Sequence, residues 1–137
     1  MKQENKELLL KDLCGRLPHG VKCKDTTLDF VGTMMDTNMH DNMCKLFNDY
    51  GDNYTCFIMN CKPYLFPLSS MTEEQKKEYN LLRDFVPTYH YEYGDIVEDT
   101  ELCDNWRSID YLIVNHFDYR GLIPMGLALD ATGLNIY

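Results

Sequence analysis

WRSIDYLIVNHFDYRGLIPMGLAL, residues 106–129, contains the only tryptophan of the chain and its densest run of large apolar side chains. Trp106, Ile109, Leu112 and Ile113, followed by His116 or Phe117, recur at helical spacing. This predicts a helix from about Asp104 to about Asn115 with that face in the core. Asp104 is a good N-cap. HFDYRG then reads as a tight polar corner from which the chain turns back onto the core.

The corner places His116, Asp118, Tyr119 and Arg120 within five positions. A histidine oriented by a carboxylate is the arrangement of a general base, and an arginine holds phosphate or carboxylate bidentately. One reading is therefore a small enzyme, or a nucleotide- or anion-binding protein, working through these four residues. Against it, no Ser, Cys or Thr nucleophile sits in a recognisable elbow, and no glycine-rich cradle precedes a helix. Local structure explains the same residues. His116 meets the negative end of the helix dipole. Asp118 suits a type I turn ending at Gly121, or caps a short following helix. Tyr119 packs its ring and finds a partner for its hydroxyl. Arg120 pairs with Asp118 or with an acid of the 98–104 segment. The corner is thus expected to bend the backbone, with no catalytic residue assigned. His19 and His90 read as surface or turn residues.

Outward from this stretch, residues 5–14 predict a short helix, with Leu9 and Leu13 on one face and Gly15 and Pro18 as the stop. Residues 21–66 alternate β-branched and aromatic runs with turn formers, predicting strands over 21–24, 27–34, 44–47, 54–59 and 64–66. NDYGDN (residues 48–53) is the strongest turn signal. MDTNMHDNM (residues 35–43) has no clear period and reads as a loop. Ser70-Met71-Thr72-Glu73 fits a capping box opening a helix over 71–85, with Leu81, Leu82 and Phe85 inward and Pro87 closing it. TYHYEY (residues 88–93) alternates as a short or edge strand, and GDIVEDT (residues 94–100) reads as an acidic loop. The expected fold is α+β: a small, mostly antiparallel sheet over residues 21–66 with three packed helices, forming a single domain over residues 1–137.

Of the 137 residues, 45% are hydrophobic, the share of an ordinary globular protein. No apolar run approaches the roughly 20 residues of a membrane helix. The opening MKQENKELLLKDL lacks the apolar core of a secretory signal, so the expected location is the cytoplasm, with no membrane contact. Net charge is −9, and Lys and Arg are scattered, which argues against direct nucleic-acid binding. Acidity then serves solubility or meets a basic protein partner.

Six cysteines stand at 14, 23, 44, 56, 61 and 103. Disulfides do not persist in a reducing compartment. The closest pair, Cys56 and Cys61, has no second pair to complete a zinc site. His40 and Cys44 add donors only if the fold converges them. Buried free thiols are the default, with no metal and no cofactor.

NHFDYRGLIPMGLAL and CKPYLFPLSSMTEEQKKEY resemble short uncharacterised proteins of phages and mobile elements of gut anaerobic bacteria. Their recurrent elements are P-x-S-S-M-T-E-E before a helix and H-F-D-Y-R-G-L-I near the end, and the resemblance covers residues 61–131. It implies a phage or mobile-element origin and carries no activity over. The function expected from charge and the lack of a complete catalytic constellation is an acidic, non-enzymatic interaction protein modulating a host protein. Homo-oligomerisation through the edge strand over 88–93 is a further expectation.

Overall fold

The computed structural model describes residues 2–38 and 42–137. In chain order its elements are α1 (Gln3–Arg16), β1 (Lys22–Asp25), β2 (Phe30–Asn38), β3 (Met43–Phe47), β4 (Asn53–Phe57) and β5 (Cys61–Leu65). There follow α2 (Glu73–Leu82), β6 (Asp84–Glu92), β7 (Asp95–Cys103), α3 (Trp106–Val114) and β8 (Leu129–Asp130). This is an α+β fold with three helices, a six-stranded mixed sheet and a separate two-stranded ribbon. Contacts divide the chain into two compact units: Met1–Ser70 with Ile113–Tyr137, and Met71–Leu112.

In the first unit, α1 buries Leu9, Asp12, Leu13 and Arg16, the i, i+3, i+4, i+7 stripe of a docked helix. Each fully buried leucine contributes about 2 kcal/mol by leaving water. The sheet order is β4-β3-β2-β1-β5-β8, antiparallel except for the β5–β8 pair. Strand alternation sends Cys23 and Asp25 of β1, Cys44 and Leu46 of β3, and Cys56 of β4 inward. β4 and β5 are joined only by a 3-10 turn at Ile58–Asn60, yet stand at separated places in the sheet. The sheet therefore curls, helped by a bulge between Met34 and Asp36, since a bulge bends its strand and deepens the twist. β2 and β3 approach so closely at Gly32 that a Cβ there would lie 2.7 Å from the Phe47 carbonyl oxygen.

The NDYGDN turn forms as its residues predict. Asn48 Oδ1 accepts the amides of Tyr50 and Asp52 at 3.0 and 2.9 Å, and Gly51 takes φ 83°. Part of the 35–43 segment expected as loop is strand, because β2 runs through the bulge to Asn38; residues 39–41 lie outside the described residues. β8 joins β5 in parallel, a strand that two residues of pattern did not announce.

The second unit corrects several expectations. The capping box sits two residues later than Ser70: Thr72 Oγ1 accepts the Gln75 amide and Gln75 Oε1 accepts the Thr72 amide. Ser70 is already engaged, donating to the Pro67 carbonyl at 2.7 Å. α2 ends at Leu82, not Phe85, because Arg83 turns extended and its guanidinium donates to the Leu102 carbonyl at 2.8 Å. Phe85 and Pro87 belong to β6, and of the expected acidic loop over residues 94–100 only Gly94 is turn, the rest lying in β7. Proline is tolerated there because both strands of a ribbon are edges. Asn105, not Asp104, caps α3, accepting the amides of Arg107 and Ser108. The buried positions of α3 are Ser108 and Leu112, which turns Trp106 outward at 77% exposure. Leu81 and Phe85, expected inward, are exposed as well.

Candidate functional site

The corner after α3 stitches the C-terminal segment to the edge of β5. The Phe66 amide donates to the His116 carbonyl, and the Asp118 amide donates to the Phe66 carbonyl, both at 2.8 Å. His116 bends the chain at φ 62°, a left-handed conformation that few non-glycine residues adopt. Asp118 caps the turn over residues 119–123. Its two carboxylate oxygens accept the Leu122 and Ile123 amides at 2.8 and 2.9 Å. Arg120 pairs with Asp12 of α1 at 3.2 Å, not with Asp118 or the 98–104 acids. Its guanidinium lies 4.7 Å from the Tyr119 ring centroid, and that of Arg16 lies 5.6 Å from the same ring.

Sequence reasoning missed the centre of this arrangement. Asp12 and Arg16 are both fully buried, with Arg16 Nε donating to Asp12 Oδ2 at 2.8 Å. Arg16 Nη2 also donates to the Phe117 carbonyl at 2.7 Å. Asp12 thus sits between two guanidiniums, and Arg16 ties α1 to the corner. The signal was present: Asp12 and Arg16 stand four apart on the same stripe as Leu9 and Leu13.

His116 stacks on Tyr137, ring centroids 3.7 Å apart and 11° from parallel. The Tyr137 hydroxyl donates to the Tyr64 carbonyl and accepts the Lys22 amide, joining β5 to β1. Burial first, then the charge of Arg16 and the neighbouring His19, pull the His116 pKa from 6.5 down to about 4. Between those values the unfolded chain takes a proton that the folded chain refuses. The stability contributed by the neutral ring is therefore complete above pH 6.5 and lost as pH falls toward 4. Because the ring is partly open to solvent, the loss is about 1–2 kcal/mol. The His116→Asn variant keeps a residue type that tolerates positive φ and is expected to flatten this acid limb. Urea midpoints at neutral and acid pH check it; equal pH dependence in both proteins would assign the limb to another group.

The candidate metal ligands behave differently from the spacing argument. All six cysteines are free. The Sγ atoms of buried Cys44, Cys56 and Cys61 lie within 4.8 Å of one another, and buried Cys23 stands diagonally across the β1–β5 pair from Cys61, on the same inward face. Cys44 and Cys56 face each other across the β3–β4 hairpin with sulfurs 3.2 Å apart. Cys56 is held below its ordinary pKa by the neighbouring thiols, first that of Cys44 and then that of Cys61. Cys44 is pushed up, first by the neighbouring Cys56 thiol, and Cys61 first by the neighbouring Cys23 thiol. His40 lies outside the described residues.

The third arrangement lies in the second unit. Register in β6–β7 pairs Phe85 with Leu102, Tyr89 with Glu98 and Tyr91 with Ile96. With period-two alternation, Phe85, Tyr89, Tyr91, Ile96 and Leu102 share one face with Glu98 among them, while Asp84, Glu92, Asp95, Asp99 and Glu101 share the other with Val86 and Val97. Phe85, Tyr89, Tyr91 and Ile96 are all exposed, and Tyr93 at the tip is 98% exposed. A cleft lined by Lys77, Asn80, Leu81, Arg83, Phe85 and Leu102 continues the aromatic face at its base. A polar clamp holds that base. Arg83 binds the Leu102 carbonyl, the Asn105 amide group donates to the Leu82 carbonyl at 2.6 Å, and the Tyr79 hydroxyl donates to Asp104.

Comparison with known protein families, curated proteins and solved structures finds no match. No helix among the described residues is long and apolar enough to cross a membrane.

Proposed function

We propose that this chain is an acidic, non-enzymatic interaction protein that grips a basic protein surface with the β6–β7 ribbon. The observation that carries this reading is the outward aromatic face. Among the described residues of the second unit, Met71 and Leu112 are its only buried large apolar side chains, while Leu81, Phe85, Tyr89, Tyr91, Ile96 and Trp106 are exposed. A contiguous exposed apolar face marks an interaction surface. Charge selects the partner. The second unit holds eleven carboxylates against four Lys and Arg, a net of −7 of the chain's −9. Tyrosine faces attract Lys and Arg cations, and the carboxylates of the same ribbon supply the opposing charge. The resemblance in SSMTEE and HFDYRGLI supports a phage or mobile-element protein whose partner belongs to the host bacterium.

The Tyr89→Ser, Tyr91→Ser, Ile96→Ser variant tests this without touching a buried residue. Tagged full chain incubated with host lysate is expected to retain a basic protein, released near 1 M salt where charge is screened within about 3 Å. The triple variant is expected to retain at least tenfold less. Identical retention by the two proteins overturns the proposal, as does a self-associated dimer in light scattering that the variant dissolves. The latter would make the ribbon an edge for a second copy of this chain.

A further inference from the structure

We infer that Cys44, Cys56 and Cys61, completed by Cys23, form a closed structural site for one zinc-type divalent ion inside the curled sheet. The four sulfurs come from β3, β4, the start of β5 and β1, elements that hydrogen bonding alone does not close into a ring. Tetrahedral zinc–thiolate coordination at about 2.3 Å places ligand sulfurs about 3.8 Å apart. The Cys44–Cys56 separation of 3.2 Å and the 4.8 Å limit for the three-sulfur group bracket that spacing. The 3.2 Å separation is also far beyond a disulfide bond.

Ligand chemistry names the ion. Four soft thiolates with no carboxylate among them suit zinc and not calcium or magnesium. Leu46, Ile58 and Leu65 of the surrounding core are fully buried, so solvent has no open coordination position. Such a site is structural and not catalytic. On binding, each thiol releases its proton to solvent and the sulfur lone pairs form the metal bonds, with no change in oxidation state. The ion would span the seam between β4 and β5, where the 3-10 turn Ile58–Asn60 stands in place of a strand ladder. It would thereby staple the β3–β4 hairpin to β1 and β5.

Full-length protein expressed with added zinc and purified under reducing conditions tests the site. Elemental analysis and native mass spectrometry are expected to find one zinc per chain. The metal-free protein is expected to take one equivalent of cobalt, with thiolate charge-transfer and tetrahedral ligand-field bands. Cys44→Ser with Cys61→Ser is expected to lower the zinc content at least tenfold. Cys14→Ser with Cys103→Ser, outside the cluster, is expected to leave it at one. The wild-type measurements decide the matter even where the double variant fails to fold. Less than a tenth of an equivalent of zinc with no cobalt bands overturns the inference. So does a Cys44–Cys56 disulfide in the zinc-supplied protein, or full zinc content in the Cys44, Cys61 variant.

Discussion

Replacing Asp12 by alanine is expected to destabilise the first unit by about 3–5 kcal/mol, the largest effect expected of a single substitution in this chain. Arg16 is fully buried, and its Nε bond to Asp12 is its only contact with an anion among the described residues. Its remaining contacts, the Phe117 carbonyl and the Tyr119 ring, do not neutralise the charge. Removing the carboxylate leaves a guanidinium without a counter-charge where water cannot reach it. Arg16 Nη1 already lacks a partner among the described residues, so the site has no spare acceptor. Arg120 loses the same carboxylate but is partly exposed. Arg120→Ala is accordingly expected to cost only about 1 kcal/mol. Replacing both members of the buried pair, Asp12→Leu with Arg16→Met, is expected to cost less than Asp12→Ala alone, because no stranded charge remains. Urea unfolding monitored by circular dichroism measures all three. An Asp12→Ala loss below about 1 kcal/mol would mean that Arg16 is solvated in solution.

Asp118→Ala is expected to cost about 3 kcal/mol, because it strands both amides, and Asp118→Asn about half of that, because it strands one. Each carboxylate oxygen accepts one backbone amide, from Leu122 and from Ile123. Leu122 is fully buried, so its amide has no access to water once the acceptor is gone, and an orphaned buried donor costs about 1–3 kcal/mol. Asparagine restores one acceptor but points an NH2 group at the second amide, setting donor against donor. The ordering separates this capping role from a ligand role. A charge-only role would make Asn and Ala equal, and an Asn variant at wild-type stability would show that one bond suffices. Loss of the cap is also expected to release the turn that leads to β8, read as faster amide exchange at Ala131, whose amide bonds the Leu65 carbonyl.

Much of the local structure was legible. Turn chemistry placed NDYGDN, and the position of that turn already implied the β3–β4 register. Hairpin symmetry about Tyr50 sets Cys44 opposite Cys56, an inference the spacing argument for metal ligands did not use. What hid the third thiol was curl. Cys61 lies on a strand that only sheet closure brings to the other two. Residues 71–106 depart from their periodicity for a different reason. Helical spacing predicts Leu81, Phe85 and Trp106 inward, as large apolar residues at that spacing usually are. In this unit the helices meet through the Arg83, Asp104 and Asn105 clamp, and the apolar side chains remain outside.

By itself the sequence determined the class of fold, the three helices, the main turn and the acidity, because each follows from periodicity, local capping and composition. Only the tertiary structure decided which groups meet. It joined Asp12 and Arg16 of the first helix to the corner a hundred residues away. It gathered three thiols from three strands and turned one face of the ribbon into an exposed aromatic surface. Such meetings depend on strand order, sheet curl and the rotation of a helix about its axis. No local pattern of side chains encodes these, because a shift of one position leaves the pattern's period intact while changing every long-range contact.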